Sequence, residues 1–319
     1  MKRWLLIAGL LVAAPALSQT YPAKPVRIQV GYVPGGGVDT TARMVGQALS
    51  ELWGQQVIIE NRPGAAGNVA TEYTARAAPD GYTLVLCNIG SHAVTPARFS
   101  KKLTYDPIGD FAFPAMIGGV PNLFMVHPSF PAKTLKQYVA YAKANPGKVN
   151  FGSSGVGASP HLSIELFKLR MGINIVHVPY KGAAEALRDA MAGQIESSVG
   201  NMAGAPIGAV RAGRMRALGV TSGQRSPQLP DVPTFAEQGV PDYDVTGWYG
   251  ICTQSKVPQP VVQKLTADLQ KVLAGPLKAQ LEIQGVQVNP QGPDQFRAHV
   301  KAEIERWTKV VQQAKLEGD

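Results

Sequence analysis

The stretch "YVPGGGVDTTARMVGQALSELWG", Tyr32–Gly54, sets the reading of the whole chain. It is entered from "VRIQVGY", Val26 to Tyr32, a run rich in β-branched residues that reads as a strand. Pro34 and the glycines Gly35, Gly36 and Gly37 end that strand. Met44, Val45, Ala48, Leu49 and Leu52 then recur on one helical face, and Gly54 stops the helix. "VIIE", Val57 to Glu60, is the next strand. Strand, helix and strand in this order imply a parallel pair joined by a right-handed crossover, so the fold class is α/β.

The loop between the strand and the helix suits an anion. The first N–H groups of a helix lack intrahelical partners and carry the positive end of its dipole. Glycines let a ligand approach that backbone, and the natural guest is a phosphate, sulfate or carboxylate. Val38-Asp39-Thr40 stands where a P-loop has its Lys-Ser/Thr pair, and the glycines are not spaced G-x-G-x-x-G, so the loop argues against a nucleotide. Asp39 reads as the cap of this helix rather than as an anion contact.

"NFGSSGVGASPHLSIELFKLRMGINIVHVPY", Asn150 to Tyr180, repeats the order of parts. A strand ends at Gly152 and a Gly/Ser loop follows. A helix is marked by Leu162, Leu166 and Leu169, with Ser159 as its N-cap and Pro160 at its first position. Gly172 stops it before a strand over Ile173–Val178. Before this unit, Asn68–Ala78 reads as a helix and Tyr82–Leu86 as a strand. After it come a helix over Ala183–Ala192, a strand over Ile195–Val199, a helix over Pro206–Ala212 and a strand over Met215–Thr221. Ligands of open α/β sheets sit beyond the carboxyl ends of the strands, so two such units facing each other form a cleft. Leu123–His127 leads out of the first unit, and Gly247–Thr253 returns to it. Helices over Val261–Leu273 and Phe296–Ala314 pack back on the first unit. A chain that crosses its hinge twice is built to close on a ligand.

Catalytic patterns are weak. The histidines are His92, His127, His161, His177 and His299, with no H-x-x-x-H pair among them. Gly152-Ser153-Ser154-Gly155 is one residue short of a G-x-S-x-G elbow. Ser159 and His161 are two positions apart at a helix start, so their side chains diverge and no third residue orients the histidine. Ser153, Ser154 and Ser159 offer hydroxyls to a carboxylate or serve as caps. His161 faces the cleft or is a structural hydrogen-bonder. Trp248 and Tyr249 line a cleft wall or belong to the core, and Lys181 lies near the cleft or on its solvated rim. The two cysteines, Cys87 and Cys252, exclude a Cys-rich metal site. They either pair in an oxidising compartment or sit in the core as free thiols. No metal and no cofactor is expected.

Charge and the N-terminus bound the setting. The chain has 31 Lys+Arg against 22 Asp+Glu, a net charge of +9. The basic residues are scattered without interleaved aromatics, so there is no nucleic-acid footprint, and the surplus suits an anionic ligand. Lys2 and Arg3 precede an apolar run, Trp4–Ala14, that is too short to span a bilayer. Ala16-Leu17-Ser18 places small residues at a cleavage site. Residues 1–18 are thus expected to be a secretory signal cleaved after Ser18. A lipoprotein needs a cysteine at the cut, and the first cysteine is Cys87.

Several stretches together resemble the periplasmic substrate-binding proteins of tripartite tricarboxylate transporters, the family of the Bordetella uptake gene products. They are "YPAKPVRIQVGYVPGGGVDTTAR", "IIENRPGAAGNVATEYTARAAPDGYTLVL", "NFGSSGVGASPHLSIELF", "VHVPYKGAAEALRDAMAGQI", "RALGVTS" and "DVPTFAEQGVPDYDVTGWYGI". The resemblance covers essentially all of the mature chain, in order. It implies a two-domain, type II-like Venus-flytrap binder without catalytic activity, its domain I made of residues 19–124 and 248–319 and its domain II of residues 125–247. Such a protein works in the periplasm, as a monomer by default, and passes a small carboxylate to a large and a small membrane subunit.

Carried over by the resemblance, the first-domain contacts are Tyr32, Pro34, Gly35, Gly36, Gly37 and Asp39, with Asn88, Ser91 and His92 on a second loop. The second-domain contacts are Ser153, Ser154, Gly157, Ser159 and His161, with Tyr180 and Asn201. Three positions depart from the family pattern. Gly200 stands where an acidic residue is frequent, which favours a ligand without an amino group. Ala158 replaces a frequent serine. Tyr32 replaces a common phenylalanine and adds a hydroxyl. Two other readings remain at this stage: a periplasmic sensor that feeds a signalling receptor, and a secreted enzyme acting on small carboxylates.

Overall fold

The computed structural model describes residues 21–100 and 102–314. The expected signal sequence lies outside them. The chain begins β1 (Val26–Val30), α1 (Gly37–Trp53), β2 (Val57–Asn61), α2 (Asn68–Ala75), β3 (Thr83–Asn88) and α3 (Thr95–Arg98). A π-turn at Gly90–Val94 leads into α3. One long strand, β4 (Phe111–Val126), carries the chain into the second half. There follow α4 (Leu135–Ala144), β5 (Asn150–Ser153), α5 (Ser159–Met171), β6 (Val176–Pro179), α6 (Ala183–Met191), β7 (Ser197–Asn201), α7 (Gly204–Arg211) and β8 (Arg216–Val220). The return strand is β9 (Thr246–Gln254), and the chain closes with α8 (Gln259–Ala274), α9 (Leu277–Ile283), β10 (Gln287–Gln291) and α10 (Pro293–Ala314).

The strands run β2-β1-β3-β9-β4-β7-β5-β6, with β8 and β10 also paired to β4. β1 is parallel to β2 and β3, as the strand–helix–strand reading requires. β5 is likewise parallel to β6 and β7. The strand β4 joins the halves. Phe111 to Pro121 pair antiparallel with β9, and Asn122 to Val126 pair antiparallel with β7. The outward crossing is therefore the end of a single sixteen-residue strand rather than a short element of its own.

Burial follows the alternation of the sequence. In β1 only Arg27 is exposed, and the buried Gln29 is satisfied by Glu60 and Arg62. One core cluster spans both halves, from Phe113, Trp248 and Phe296 to Phe124, Phe151 and Phe167. The last helix belongs to both. Phe296 packs edge-on to Trp248, while Arg306 donates to the main-chain oxygen of Asp244. Cys87 and Cys252 form a disulfide between neighbouring strands β3 and β9. This settles the choice between paired and free cysteines.

Several expected bounds shift. The helix expected over Asn68–Ala78 stops at Ala75, because Pro79 disfavours helical backbone at Ala78. The strand expected over Ile195–Val199 is Ser197–Asn201, since its ladder against β4 runs from Val126 to Asn122. The strand expected from Ile173 begins at Val176, where its partner Asn150 begins.

Candidate functional site

A cavity of about 60 Å³ lies between the halves. The starts of three helices line it: Gly36, Gly37 and Val38 of α1, Ala158, Ser159 and Pro160 of α5, and Gly182 and Ala183 of α6. The N-caps are Gly36, Ala158 and Gly182, and none makes a side-chain capping bond. Three helix N-termini thus turn uncapped N–H groups and the positive ends of their dipoles toward one small volume. The sequence explains this locally. Glycine and alanine stand at the caps where Ser, Thr, Asp or Asn would occupy the donors themselves.

Asp39 does not cap α1. It is the third helical residue, and its Oδ2 accepts from the N–H of Gly35 at 2.9 Å. Arg43 and Asn61 donate to the same carboxylate. Burial pushes its carboxyl up, but the bonds from Arg43, Gly35 and Asn61 outweigh burial and hold it below the usual carboxylate range. The reason is spatial: β2 places Asn61 beside the first turn of α1, so the carboxylate is held there rather than at the N-cap. Ser159 is not the N-cap of α5 either, since the helix starts one residue earlier than expected. Its Oγ accepts from Asn122 Nδ2 at 2.9 Å.

Of the residues expected at the site, Tyr32, Gly36, Gly37, Asn88, Ser154, Ser159 and Asn201 line this cavity. Tyr180 lines a wider outer chamber of about 450 Å³, which shares Tyr32, Val33, Ser154, Ala158 and Lys181 with the inner one. Gly157 lies on a third cavity with Arg98. Pro34, Gly35, Asp39, Ser91, His92, Ser153 and His161 are not on the walls of the inner cavity. Gly35 shapes the turn with a φ of +85°. Ser91 and His92 are fully buried behind the wall. Ser91 Oγ bonds His92 Nδ1, and the ring packs edge-on to Phe111. His92 also lies against the disulfide, whose sulfurs are engaged with each other.

His161 is structural. Its Nδ1 accepts from the N–H of Gly157 and so ties the Gly/Ser loop to α5. Its ring lies 4.1 Å from that of His177, which bonds Ser153 Oγ. Burial drives the His161 pKa far down, helped by His177, Arg98 and Lys168. Burial, with Lys168, lowers His177 to about 4. Both rings are neutral near pH 7.

Trp248 and Tyr249 are both cavity wall and core. They line the inner cavity and are almost fully buried. Among the described residues, Lys181 is the one charged residue on either chamber, and it is exposed at their junction. Val38 and Ile89 fall within the two first-domain loops expected at the site, Val33–Asp39 and Asn88–His92, and line the wall, whereas Pro160, Ala183 and Gly247 were not in the expected set. Asn122, which holds Ser159, carried no motif at all.

The model of the tripartite tricarboxylate transporter family receptor, TctC, matches residues 41–316. The chain belongs to this family. It is 34% identical to Protein BugT of Bordetella pertussis, covering 98% of this chain and 98% of that protein. Its fold is that of a two-domain periplasmic binding protein. It resembles a solved structure titled a periplasmic transporter, with a TM-score of 0.87, 38% identity, and 94% and 100% of the two chains covered. It also resembles R. palustris Rpa4515, solved with adipate, with a TM-score of 0.86, 35% identity, and 92% and 98% covered. Among the described residues of this TctC-family receptor, no helix is long and apolar enough to cross a membrane.

Proposed function

We propose that this TctC-family protein captures a small carboxylate at the meeting point of α1, α5 and α6, and delivers it to the large and small membrane subunits of a tripartite transporter. The observation that carries the reading is the convergence of three uncapped helix N-termini on one cavity. An acceptor-only anion satisfies such donors, and water exclusion strengthens each bond. The relative solved with adipate supports a carboxylate cargo. Binding without turnover fits, because His161 and His177, near the Gly/Ser loop, are held in structural bonds.

A cavity of about 60 Å³ is well below the ~150 Å³ that takes benzene. Cargo larger than that is admitted by parting of the halves, with its tail in the outer chamber. The hinge of this motion is the strand pair β4 and β9, domain I being residues 19–124 with 248–319 and domain II residues 125–247. The leader of residues 1–18 directs the chain to the periplasm, where it acts as a monomer.

The test is a thermal shift of residues 19–319 against adipate, malate, succinate, citrate, aspartate, glutamate, benzoate and nicotinate, with phosphate and ATP as controls. A ligand specific to the native state raises its stability by about 2.7 kcal/mol at a hundredfold excess over Kd. A shift with one carboxylate class, unchanged ligand on recovery and none with ATP is the expected result. Shifts with phosphate or ATP alone would overturn it.

A further inference from the structure

The inner cavity holds a second kind of donor. Tyr249 is 4% exposed, lines the cavity, and its Oη has no hydrogen-bond partner among the described residues. It stands beside the start of α1: a methyl group on Gly37 would sit 3.5 Å from Tyr249 Oη. A buried hydroxyl without a partner is costly, and native interiors rarely leave one so. The neighbouring tyrosine differs. Tyr32 Oη donates to the Ala66 carbonyl at 2.9 Å and lies 3.3 Å from Asn88 Oδ1, so its hydrogen is committed within the protein. Of these two hydroxyls at the α1 terminus, the free donor is that of Tyr249.

We propose, building on the carboxylate reading above, that Tyr249 Oη donates directly to the cargo carboxylate held at the N-terminus of α1 and makes the site select an acid over its amide. The phenol stays protonated at neutral pH because burial raises its pKa. The α1 N–H groups and the Tyr249 O–H are all donors aimed at one place. A carboxylate offers lone pairs to all of them. A primary amide at the same place turns an NH₂ against one of them and leaves a buried donor unmet, a loss that polar sites translate into strong discrimination. Val33, Val38, Ile89 and Pro160 supply apolar wall for the body of the cargo, beside the polar Asn88, Ser154, Ser159 and Asn201.

Tyr249→Phe tests this with the member of the carboxylate panel that binds the parent protein most tightly, and with its monoamide, both by calorimetry. Removing one hydrogen bond to a charged group is expected to weaken the acid by about 10- to 100-fold. The monoamide, already weak, changes far less, so the acid-to-amide preference falls. The melting midpoint of the ligand-free variant stays level or rises, because an unmet hydroxyl is gone. That sign separates a cargo contact from a structural role, in which the midpoint drops. Parent-like affinity and preference in Tyr249→Phe would overturn the assignment of Tyr249 while leaving the carboxylate reading standing. A parent protein that binds no member of the panel would overturn both.

Discussion

Asn122 Nδ2 donates to Ser159 Oγ across 2.9 Å, tying the crossing strand to the first turn of α5. Asn122 is fully buried and stands where β4 changes partner from β9 to β7. Its N–H donates to Thr221 Oγ1, and its carbonyl accepts from the Thr221 N–H. The crossing strand and the second helix terminus of the cavity are thereby one unit.

Asn122→Ala is expected to lower stability by about 1–3 kcal/mol, the range for stranding a buried polar partner, here Ser159 Oγ. Cargo affinity falls with it, because the start of α5 loses its tether. Urea unfolding with calorimetry on the same sample checks both. An affinity equal to that of the parent would mean that Ser159 is held in place without Asn122.

Gly37→Ala is expected to fold normally and bind poorly. The added methyl meets nothing closer than Tyr249 Oη at 3.5 Å, an ordinary contact, so stability is kept. It stands on the cavity wall beside the α1 donors, where one extra carbon in a closed pocket changes binding by about tenfold or more. Equal affinity in the variant would place the cargo away from α1.

The Cys87–Cys252 bridge closes a sequence separation of 165 residues and pins β9 to β3. Replacing both residues by alanine is expected to lower stability by about 2–5 kcal/mol. A thiol count near zero on the unfolded, non-reduced parent confirms the bridge, and a count of two would refute it.

Three histidines make the protein acid-sensitive. Burial lowers His92 to about 3 and His177 to about 4, and takes His161 lower still with help from His177, Arg98 and Lys168. In the unfolded chain each titrates near ~6.5. Below that pH the unfolded state takes up protons that the native state refuses, so it binds more of them and stability falls as pH drops toward 4. Above it neither state is protonated and the histidine contribution to the slope vanishes. His161→Asn, which keeps an acceptor for Gly157, should unfold in urea with a shallower dependence on pH between 7 and 4. An unchanged slope would show that the carboxylates dominate.

Lys181 stands exposed where the two chambers meet. Lys181→Gln is expected to weaken a dicarboxylate by about two- to fivefold at low salt, the scale of an exposed ion pair, and to leave a monocarboxylate unchanged. The difference should shrink as salt screens the charge. Equal loss for both acids would place Lys181 on the first carboxylate instead.

Local sequence was enough for the α/β class, the paired Gly-rich turns and the anion chemistry. Each rests on short-range rules: hydrophobic period, glycine stops and the open N–H groups of a helix start. Asp39 shows where that ends. Its capping role was inferred from its position, yet Asn61 and Arg43 draw the carboxylate to the side of the helix. His92 and His161 shared motifs with true wall residues, but the fold turned them into buried supports.

By itself, then, the sequence determined which elements form and that two helix-start loops suit an anion, because those properties arise within a few residues of chain. Only the tertiary structure decided which donors meet. The convergence of α1, α5 and α6, the tether from Asn122 and the free hydroxyl of Tyr249 depend on strands far apart in the chain packing side by side, and no local pattern encodes that register.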